Sequence, residues 1–280
     1  MDVGGFWDVA VRFGAFAGIF LTMALLELFI PKRTLKAGRG RRWPTNLAIV
    51  GIDGLLVRLM VWLPQMLGTL FIPLAAVAAA LYAERSGFGL LNWVAWPAWL
   101  EIAIAVVVLD FALWLQHFGS HKIAVFWRLH QMHHADVDID TTTGLRFHPI
   151  EIGLSMLYKM VWVLALGAPP IAVVLFEAIL NGGSLFNHAN VDLPRRLDRV
   201  LRLVLVTPDM HRVHHSILRR EHDTNFGFNL SVWDRLLGTY TAQPEHGHRG
   251  MTIGLPQYQS DGPTRLGWSL TLPFRRLSDR

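Results

Sequence analysis

Long apolar runs alternate with short polar segments along the chain, and several runs have the length of a membrane-spanning helix. The run 13–30 is interrupted only by Thr22 and Glu27. With residues 6–12 included, it reaches the roughly 20 residues that a helix needs to cross a bilayer. A second apolar run covers residues 47–67. The pattern therefore predicts two spanning helices near the start of the chain.

Later apolar runs predict another spanning helix and a helical hairpin. The run 99–115 leads directly into His117. The runs 150–166 and 171–185 are separated only by the Gly-Ala-Pro-Pro sequence of residues 167–170, which is typical of a turn. We expect the two helices of this hairpin to cross the membrane and return.

The segments between these runs are shorter, polar or mixed. Residues 70–82 are predicted to form a half-helix or an interfacial segment, and residues 84–97 a loop with interfacial tryptophans. The acidic stretch 135–147 is predicted to be a surface loop. Residues 192–205 are basic and amphipathic, which favours a position along the membrane surface.

The composition supports a membrane protein. Hydrophobic residues make up 52% of the chain and charged residues 17%, whereas a soluble domain has about a quarter charged residues. The net charge is +5, and the chain has no cysteine, which excludes disulfides and iron–sulfur clusters. One short segment holds six of the basic residues: Lys32, Arg33, Lys36, Arg39, Arg41 and Arg42. The positive-inside rule predicts that this segment is cytoplasmic, and the apolar runs around it disfavour a nucleic-acid-binding surface.

Eight of the thirteen histidines fall into three groups at helical spacing. Residues three and four apart share one face of a helix, so each group can direct its imidazoles at one point. The groups are His117 and His121, then His130, His133 and His134, and finally His211, His214 and His215.

Neutral imidazole is a good ligand for iron, zinc and copper. Eight histidines are enough for two metal ions, and so many buried imidazoles without a metal would leave polar nitrogens unsatisfied. The sequence has no H-E-x-x-H motif, which disfavours a zincin-type protease. An all-histidine site suits iron that activates dioxygen, while zinc-dependent hydrolysis stays open on ligand chemistry alone.

The order of these groups and their flanking residues is specific as a combination. The flanking motifs are Asp110 with Trp114, Arg146-Phe147-His148-Pro149-Ile150-Glu151, Thr207-Pro208, Asn225-Phe226-Gly227 and the segment from Trp233 to Thr239. Together with His188 after the hairpin, they resemble the fatty acid hydroxylase / sterol desaturase superfamily. The resemblance covers about residues 42–240.

The resemblance implies an all-α integral membrane bundle with about four spanning helices, including the hairpin. A cytoplasmic, histidine-rich helical cap would hold two iron ions without haem. It implies nine catalytic and metal-binding histidines: His117, His121, His130, His133, His134, His188, His211, His214 and His215. The implied reaction is hydroxylation or desaturation of a lipid, such as a fatty acyl chain or sterol, with O2 and electrons from a separate protein.

The chain departs from the family pattern after the hairpin, where several relatives have two histidines. Here His188 stands without a second histidine, and Asn190 lies beside it. His148 is a candidate tenth ligand, or else a structural residue of its turn. Asp110 shares a helical face with the first histidine pair, where it could orient a ligand imidazole or pair with Arg58.

The leading interpretation is a lipid oxygenase, and the alternatives are a membrane zinc hydrolase and a non-enzymatic metal-binding protein. The predicted regions are an N-terminal transmembrane region (1–98), a catalytic domain (99–240) and a C-terminal cytoplasmic tail (241–280). The remaining histidines in polar sequence are predicted to be solvated: His222, His246 and His248. The pattern leaves the oligomeric state open.

Overall fold

The computed structural model describes residues 6–66 and 75–275, and within these ranges the chain is helical with no β-sheet. The α-helices are α1 (Phe6–Phe29), α2 (Arg39–Met66), α3 (Ala76–Ser86), α4 (Ala98–Lys122), α5 (Ala124–His134), α6 (Pro149–Leu166), α7 (Pro170–Asn187), α8 (Arg195–Leu201), α9 (Pro208–His214), α10 (Arg219–His222), α11 (Val232–Leu236), α12 (Gly247–Gly250) and α13 (Leu266–Thr271). Short 3-10 helices cover Leu90–Trp93, Thr143–Leu145, Pro256–Tyr258, Gly262–Thr264 and Leu272–Phe274. The all-α prediction is confirmed.

Four of the described helices are long and apolar enough to cross a membrane, judged by length and composition. They are α2 over Arg39–Leu63, α4 over Ala98–Lys122, α6 over Pro149–Leu166 and α7 over Pro170–Asn187. Helix α1 contributes a shorter apolar stretch, Phe13–Phe29. The first part of the predicted half-helix at 70–82 lies outside the described residues, which resume at Ala75, and α3 begins at Ala76.

The hairpin of α6 and α7 forms where the sequence predicts it. Gly167 ends α6 with a left-handed φ of 71° and donates its backbone N–H to Val163 and Leu164. A glycine adopts this conformation without steric cost. Pro170 then starts α7 at a position where its missing N–H is not needed.

The second spanning helix begins earlier than the sequence predicts. The apolar run that predicts this helix starts at residue 47, but α2 begins at Arg39 and includes three of the clustered basic residues. The physical reason is tertiary, because Arg39 and Arg42 both have acidic partners that hold this turn in place.

The described chain divides into two compact units, each made of three segments. One unit, here called unit A, comprises residues 1–43, 135–145 and 178–261, and the other, unit B, comprises residues 44–134, 146–177 and 262–280. Unit A contains the second H-x-x-H-H triplet and unit B the first. Each unit therefore has its own histidine cluster.

A buried ionic network organises unit A. The Arg42 guanidinium, 1% exposed, donates to both oxygens of Asp136 at 2.7 Å and to Asp140 at 2.6 Å. Asp138 accepts from the backbone N–H groups of Lys36 and Ala37 at 2.8 Å. The prediction of a surface loop at 135–147 is wrong, because residues 135–144 are all buried. Their carboxylates face the basic segment instead of water.

Glu27 links three parts of unit A. One carboxylate oxygen accepts the N–H groups of Thr141 at 2.7 Å and Asn190 at 2.8 Å, and the other pairs with Arg39 at 3.2 Å. Glu27, one of the two polar residues in the first apolar run, is thus buried and contacts three chain segments. It fixes the backbone of Asn190, two residues after His188.

In unit B, Arg146 stabilises the helix that carries the first triplet. Its guanidinium donates to the Met132 carbonyl oxygen at 3.0 Å, close to the end of α5. It also donates to Asn46 and Ser269, each at 2.7 Å. Cationic donors near a helix C-terminus satisfy its last carbonyl groups.

Replacing Arg42 with Ala should strongly destabilise the protein. Removing one partner of a buried ion pair costs about 3–5 kcal/mol, because the remaining charges stay buried. Arg41→Ala is the matched control, since its pair with Asp261 is 57% exposed at both side chains and an exposed pair contributes at most about 1 kcal/mol. Thermal unfolding in detergent compares the two variants. Equal unfolding temperatures would show that the Arg42 network does not stabilise the fold.

Candidate metal centre

Four histidines of unit B converge where α4 meets α5. Helix α4 supplies His117 and His121, and α5 supplies His130 and His134. The two helices are separated by Ile123, whose backbone is extended. One ring nitrogen from each of the four lies within 4.8 Å of the others. The Nε2 atoms of His121 and His134 are 3.1 Å apart. The spacing thus brings the first pair together with His130 and His134, but the prediction that all three histidines of the first triplet share this point is not met, because His133 lies outside this cluster.

His130 shows that this cluster fits a metal ion. Its Nδ1 lies 2.7 Å from the Glu151 carboxylate, which can only accept, so Nδ1 carries the proton. Its Nε2 is buried and has no hydrogen-bond partner among the residues that the structure describes. A carboxylate on one nitrogen with the other directed at a metal is the usual arrangement of a ligand histidine.

His133 lies on the same helix but faces differently within unit B. Its ring stacks on Phe147 with a centroid distance of 4.4 Å and an interplanar angle of 10°. It is buried, at 1% exposure. The stacking fixes the plane of the imidazole and so the direction of its nitrogens.

Three histidines of unit A form a second cluster. His188 follows α7 directly, His211 lies on α9, and His215 follows α9. One ring nitrogen from each lies within 4.8 Å of the others. The Nε2 atoms of His188 and His211 are 3.0 Å apart. Thr207 begins α9 by accepting a hydrogen bond from the N–H of Met210, as expected of a threonine N-cap.

Backbone carbonyl groups set the tautomers in unit A. The Nδ1 atom of His188 lies 2.8 Å from the Ser184 carbonyl oxygen, and that of His214 lies 2.7 Å from the Thr224 carbonyl oxygen. Carbonyl oxygens only accept, so Nδ1 is protonated in both rings and Nε2 carries the lone pair. Both rings are therefore in the form that binds a metal through Nε2.

The donor set of each cluster is consistent with a transition-metal ion. The cluster of unit B offers three buried imidazoles and the half-buried ring of His121, and that of unit A offers three buried imidazoles; such ligands suit iron, zinc or copper. Two facing Nε2 atoms at 3.0–3.1 Å share at most one proton, so at least one nitrogen at each contact has a lone pair that could bind a metal in place of this hydrogen bond. The residues present therefore fit one metal ion in each unit.

The C-terminal segment supports the unit A cluster from the side. Gly254 donates to the His215 carbonyl oxygen at 3.1 Å, and Ile217 donates to the Thr252 carbonyl oxygen at 2.9 Å. Ser216 and Ile253 form an isolated antiparallel bridge. Residues after 241 thus pair directly with the chain that carries the second triplet.

Charged residues pack beside the same triplet. Asp209 accepts from Lys32 at 2.9 Å and pairs with the buried Arg212. Burial alone would raise the pKa of Asp209, but Arg212 outweighs it, with help from Lys32, and holds that pKa below its usual value. This carboxylate is therefore ionised at neutral pH and keeps the buried guanidinium of Arg212 paired.

Two of the three histidines predicted to be solvated are buried instead. His222 and His248 are 8% and 9% exposed, whereas the His246 side chain is 59% exposed as predicted. Burial lowers the pKa of His248 to about 4, so this ring is neutral at pH 7. The local sequence around His248 is polar, but Asp209 contacts it from a distant part of the chain.

His148 has protein partners at both ring nitrogens. Nδ1 accepts the N–H of Ile150 at 3.2 Å and so caps α6, and Nε2 lies 3.1 Å from the Leu270 carbonyl oxygen. Burial lowers the pKa of this ring. Because both ring nitrogens of His148 are used in these hydrogen bonds, the structure favours a structural role for this residue over a role as metal ligand.

The two candidate supporting residues occupy different settings. Asp110 is buried on α4 and lies on the same face of this helix as His117. Asn190 accepts the N–H of Arg33 at 3.0 Å and donates to its carbonyl oxygen at 2.8 Å. Asn190 thus ties the basic segment to the chain just after His188, through hydrogen bonds between its side chain and the backbone of Arg33.

Sequence reasoning missed the residues that orient the ligands. Glu151 belongs to a motif noted in the sequence, but its contact with His130 joins residues 21 apart. Ser184 and Thr224 act through backbone carbonyl groups, which leave no signature in side-chain type. Ser184 also donates its hydroxyl to the Gly144 carbonyl oxygen at 2.7 Å.

The fold and the two clusters define a helical membrane protein with histidine-rich candidate metal sites, and comparison with known proteins identifies the family. Residues 102–239 match the fatty acid hydroxylase family. The ornithine lipid hydroxylase OlsE of Rhizobium tropici is 32% identical over 53% of this chain and 44% of that protein. Human alkylglycerol monooxygenase is 31% identical over 53% of this chain and 32% of that protein.

A more distant relative is the Delta(7)-sterol 5(6)-desaturase of Eremothecium gossypii, 26% identical over 52% of this chain and 39% of that protein. The chain spans less than half the length of each of these three curated relatives. No solved structure gives a significant match. The resemblance to the fatty acid hydroxylase / sterol desaturase superfamily is confirmed by this family match and by these relatives.

Replacing Gly144 with Ala should disturb the unit A cluster. A Cβ at Gly144 would lie 2.5 Å from the Ser184 carbonyl oxygen and 3.0 Å from Nδ1 of His188, so the two groups must move apart. We expect loss of bound metal and a destabilisation of about 1–3 kcal/mol, as for other overpacked sites. Metal analysis and thermal unfolding measure both effects.

Gly250→Ala is the control for this variant, because the nearest atom to its new Cβ is a side-chain carbon at 3.9 Å. It should keep its metal. Unchanged metal content in Gly144→Ala would show that the position of His188 is not critical for binding.

Proposed function

We propose that this protein is a membrane-bound, non-haem iron oxygenase that hydroxylates or desaturates a lipid. The observation that carries the proposal is the convergence of buried imidazoles in each unit, with the unpartnered Nε2 of His130 as its sharpest detail. The family match over residues 102–239 supports the same class of oxidation chemistry.

The proposed ligands of one iron ion are the four clustered histidines of unit B, and those of the other are the three of unit A. His133 and His214, which complete the two triplets, are proposed as further ligands. His148 is left out because both of its nitrogens have protein partners. Iron would supply the redox chemistry that activates dioxygen, which zinc does not offer.

The protein's own residues prepare these sites. Glu151 holds the ring of His130, and the carbonyl groups of Ser184 and Thr224 hold His188 and His214 in the Nδ1–H tautomer. Eight of the nine proposed ligand histidines and residues 135–144 are buried, which would exclude water from the sites and so limit side reactions.

The proposed substrate is a lipid with an alkyl chain or sterol skeleton. The relatives are named for ornithine lipid, alkylglycerol and sterol, and their shared feature is a long apolar body. Candidate spanning helices beside the histidine-bearing segments could hold such a body. Electrons are proposed to come from a separate carrier protein.

We also propose the orientation of the protein. The basic segment at residues 32–42, the histidine clusters and the chain after residue 240 are placed on the cytoplasmic side by the positive-inside rule. The turn at Gly167 then lies on the opposite side. The three-region division at residues 98 and 240 remains part of this proposal.

Removing one ligand from each cluster should remove iron. His134→Ala and His211→Ala each delete an imidazole that faces another at about 3 Å, so each should lower the iron content per chain of protein purified without oxygen. His246→Ala is the control, because this ring is exposed. Full iron content in both cluster variants would contradict the ligand assignment, and zinc in place of iron would favour a hydrolase.

Turnover under isotopically labelled dioxygen should place one labelled oxygen atom in the lipid product. The reaction needs dioxygen, a reductant and a lipid together, because both atoms of dioxygen must be reduced and one C–H bond oxidised. The product mass decides between the outcomes. Loss of two hydrogens without label indicates desaturation. A product that gains an unlabelled oxygen atom has taken it from water, which supports hydrolysis and rejects the oxygenase proposal.

A further inference from the structure

Helix α8 and the turn after it expose an unusual number of apolar side chains. Val200 and Leu203 are 64% and 68% exposed, and Leu197, Val204 and Leu205 are also exposed. This stretch lies outside the helices that are long enough to cross a membrane. Such a surface would be costly in water.

Helix α11 extends the same apolar surface. Val206 donates to the Asn229 carbonyl oxygen at 2.8 Å, and Ser231 donates to the Val204 carbonyl oxygen at 2.9 Å. Leu205 forms an isolated bridge with Leu230. The exposed residues of α11 and its C-terminal end therefore continue this surface, which we call the α8–α11 patch: Leu197, Val200, Leu203, Val204, Leu205, Val232, Leu236 and Leu237.

The exposed charge beside the patch is positive. Arg195, Arg196 and Arg199 are all exposed on α8. The carboxylates in these segments are buried and have partners: Asp198 binds Arg202 and Thr207, and Asp234 accepts the N–H groups of Phe226 and Gly227.

The patch begins where apolar helices of unit A end. Asp192 donates its N–H to the Ile30 carbonyl oxygen at 2.8 Å, and Pro31 pairs with Val191 in an isolated bridge. Helix α7 ends at Asn187. Residues 190–192 therefore lie at the ends of α1 and α7, and α8 starts three residues later.

We propose that the α8–α11 patch lies in the interfacial layer of the membrane and binds anionic lipid headgroups. Its apolar residues would reach the boundary of the acyl chains, while the three arginines contact phosphate groups. This combination of an exposed apolar face and arginines is that of an interfacial anchor. The proposal does not depend on the metal or on the reaction.

The anchor is mechanically connected to a histidine cluster. The Asp198 carboxylate on α8 accepts the Thr207 hydroxyl at 2.6 Å, and Thr207 caps α9, which carries His211. The patch therefore fixes the start of α9 at a defined depth relative to the lipid headgroups.

Site-directed spin labelling tests the proposal on the whole protein, since the chain has no cysteine of its own. The variants Val200→Cys, Leu203→Cys and Leu236→Cys are labelled with a nitroxide and placed in nanodiscs of phosphatidylcholine with phosphatidylglycerol. Collisions with dioxygen, which concentrates in lipid, are compared with collisions with a water-soluble nickel chelate. We expect all three labels to resemble Leu25→Cys, an exposed position of α1.

Arg219→Cys is the water-exposed control, with 69% of its side chain exposed. The proposal would be overturned if the patch labels were as accessible to the nickel chelate as this control. It would also be overturned if the labels became protected from the nickel chelate only after an acidic redox protein was added. The combined variant Arg195→Gln, Arg196→Gln and Arg199→Gln should raise nickel accessibility at residue 203 in discs with phosphatidylglycerol and leave it unchanged in phosphatidylcholine alone. An unchanged value in both would overturn the headgroup contact.

Discussion

Buried imidazole nitrogens are the constraint on which the rest of this structure depends. A polar nitrogen removed from water costs free energy unless it finds a partner. The protein supplies that partner at one nitrogen of several rings, through Glu151 for His130 and through backbone carbonyl groups for His188 and His214. Each such bond leaves the opposite nitrogen directed into its cluster. The protein interior is therefore polar at the two histidine clusters, where a metal ion would supply the missing partner of these nitrogens.

The second constraint is that the segments carrying these rings must be held without a large soluble core. Buried ion pairs do this in unit A, where Arg42 binds Asp136 and Asp140, and Glu27 accepts two backbone N–H groups. Buried pairs are often no more stabilising than apolar contacts, but breaking one is costly. Their directional hydrogen bonds specify one arrangement of loops, which suits a histidine cluster that is assembled from two separate chain segments.

Local patterns predicted the helices, the hairpin and the convergence of the histidines, because the spacing of apolar residues and of His117 and His121 is set by the geometry of one helix. The burial of the acidic stretch could not be predicted in the same way. Its carboxylates pair with Arg42, which lies 94 residues from Asp136, and nothing in either segment identifies its partner. The sequence left two roles open for His148 for a related reason: its motif is compatible with both a ligand and a helix cap, and the contact with the Leu270 carbonyl oxygen favours the cap.

The pairing of residues 252–254 with His215 and Ile217 determines whether the segment that matches the family could be exchanged on its own. The family match ends at residue 239, yet the backbone beside the second triplet is completed by residues beyond it. Arg33, from before the matched region, donates to the carbonyl oxygens of His248 and Met251. The matched segment is therefore not self-contained, and a chimera between relatives would have to exchange both flanking segments together with it.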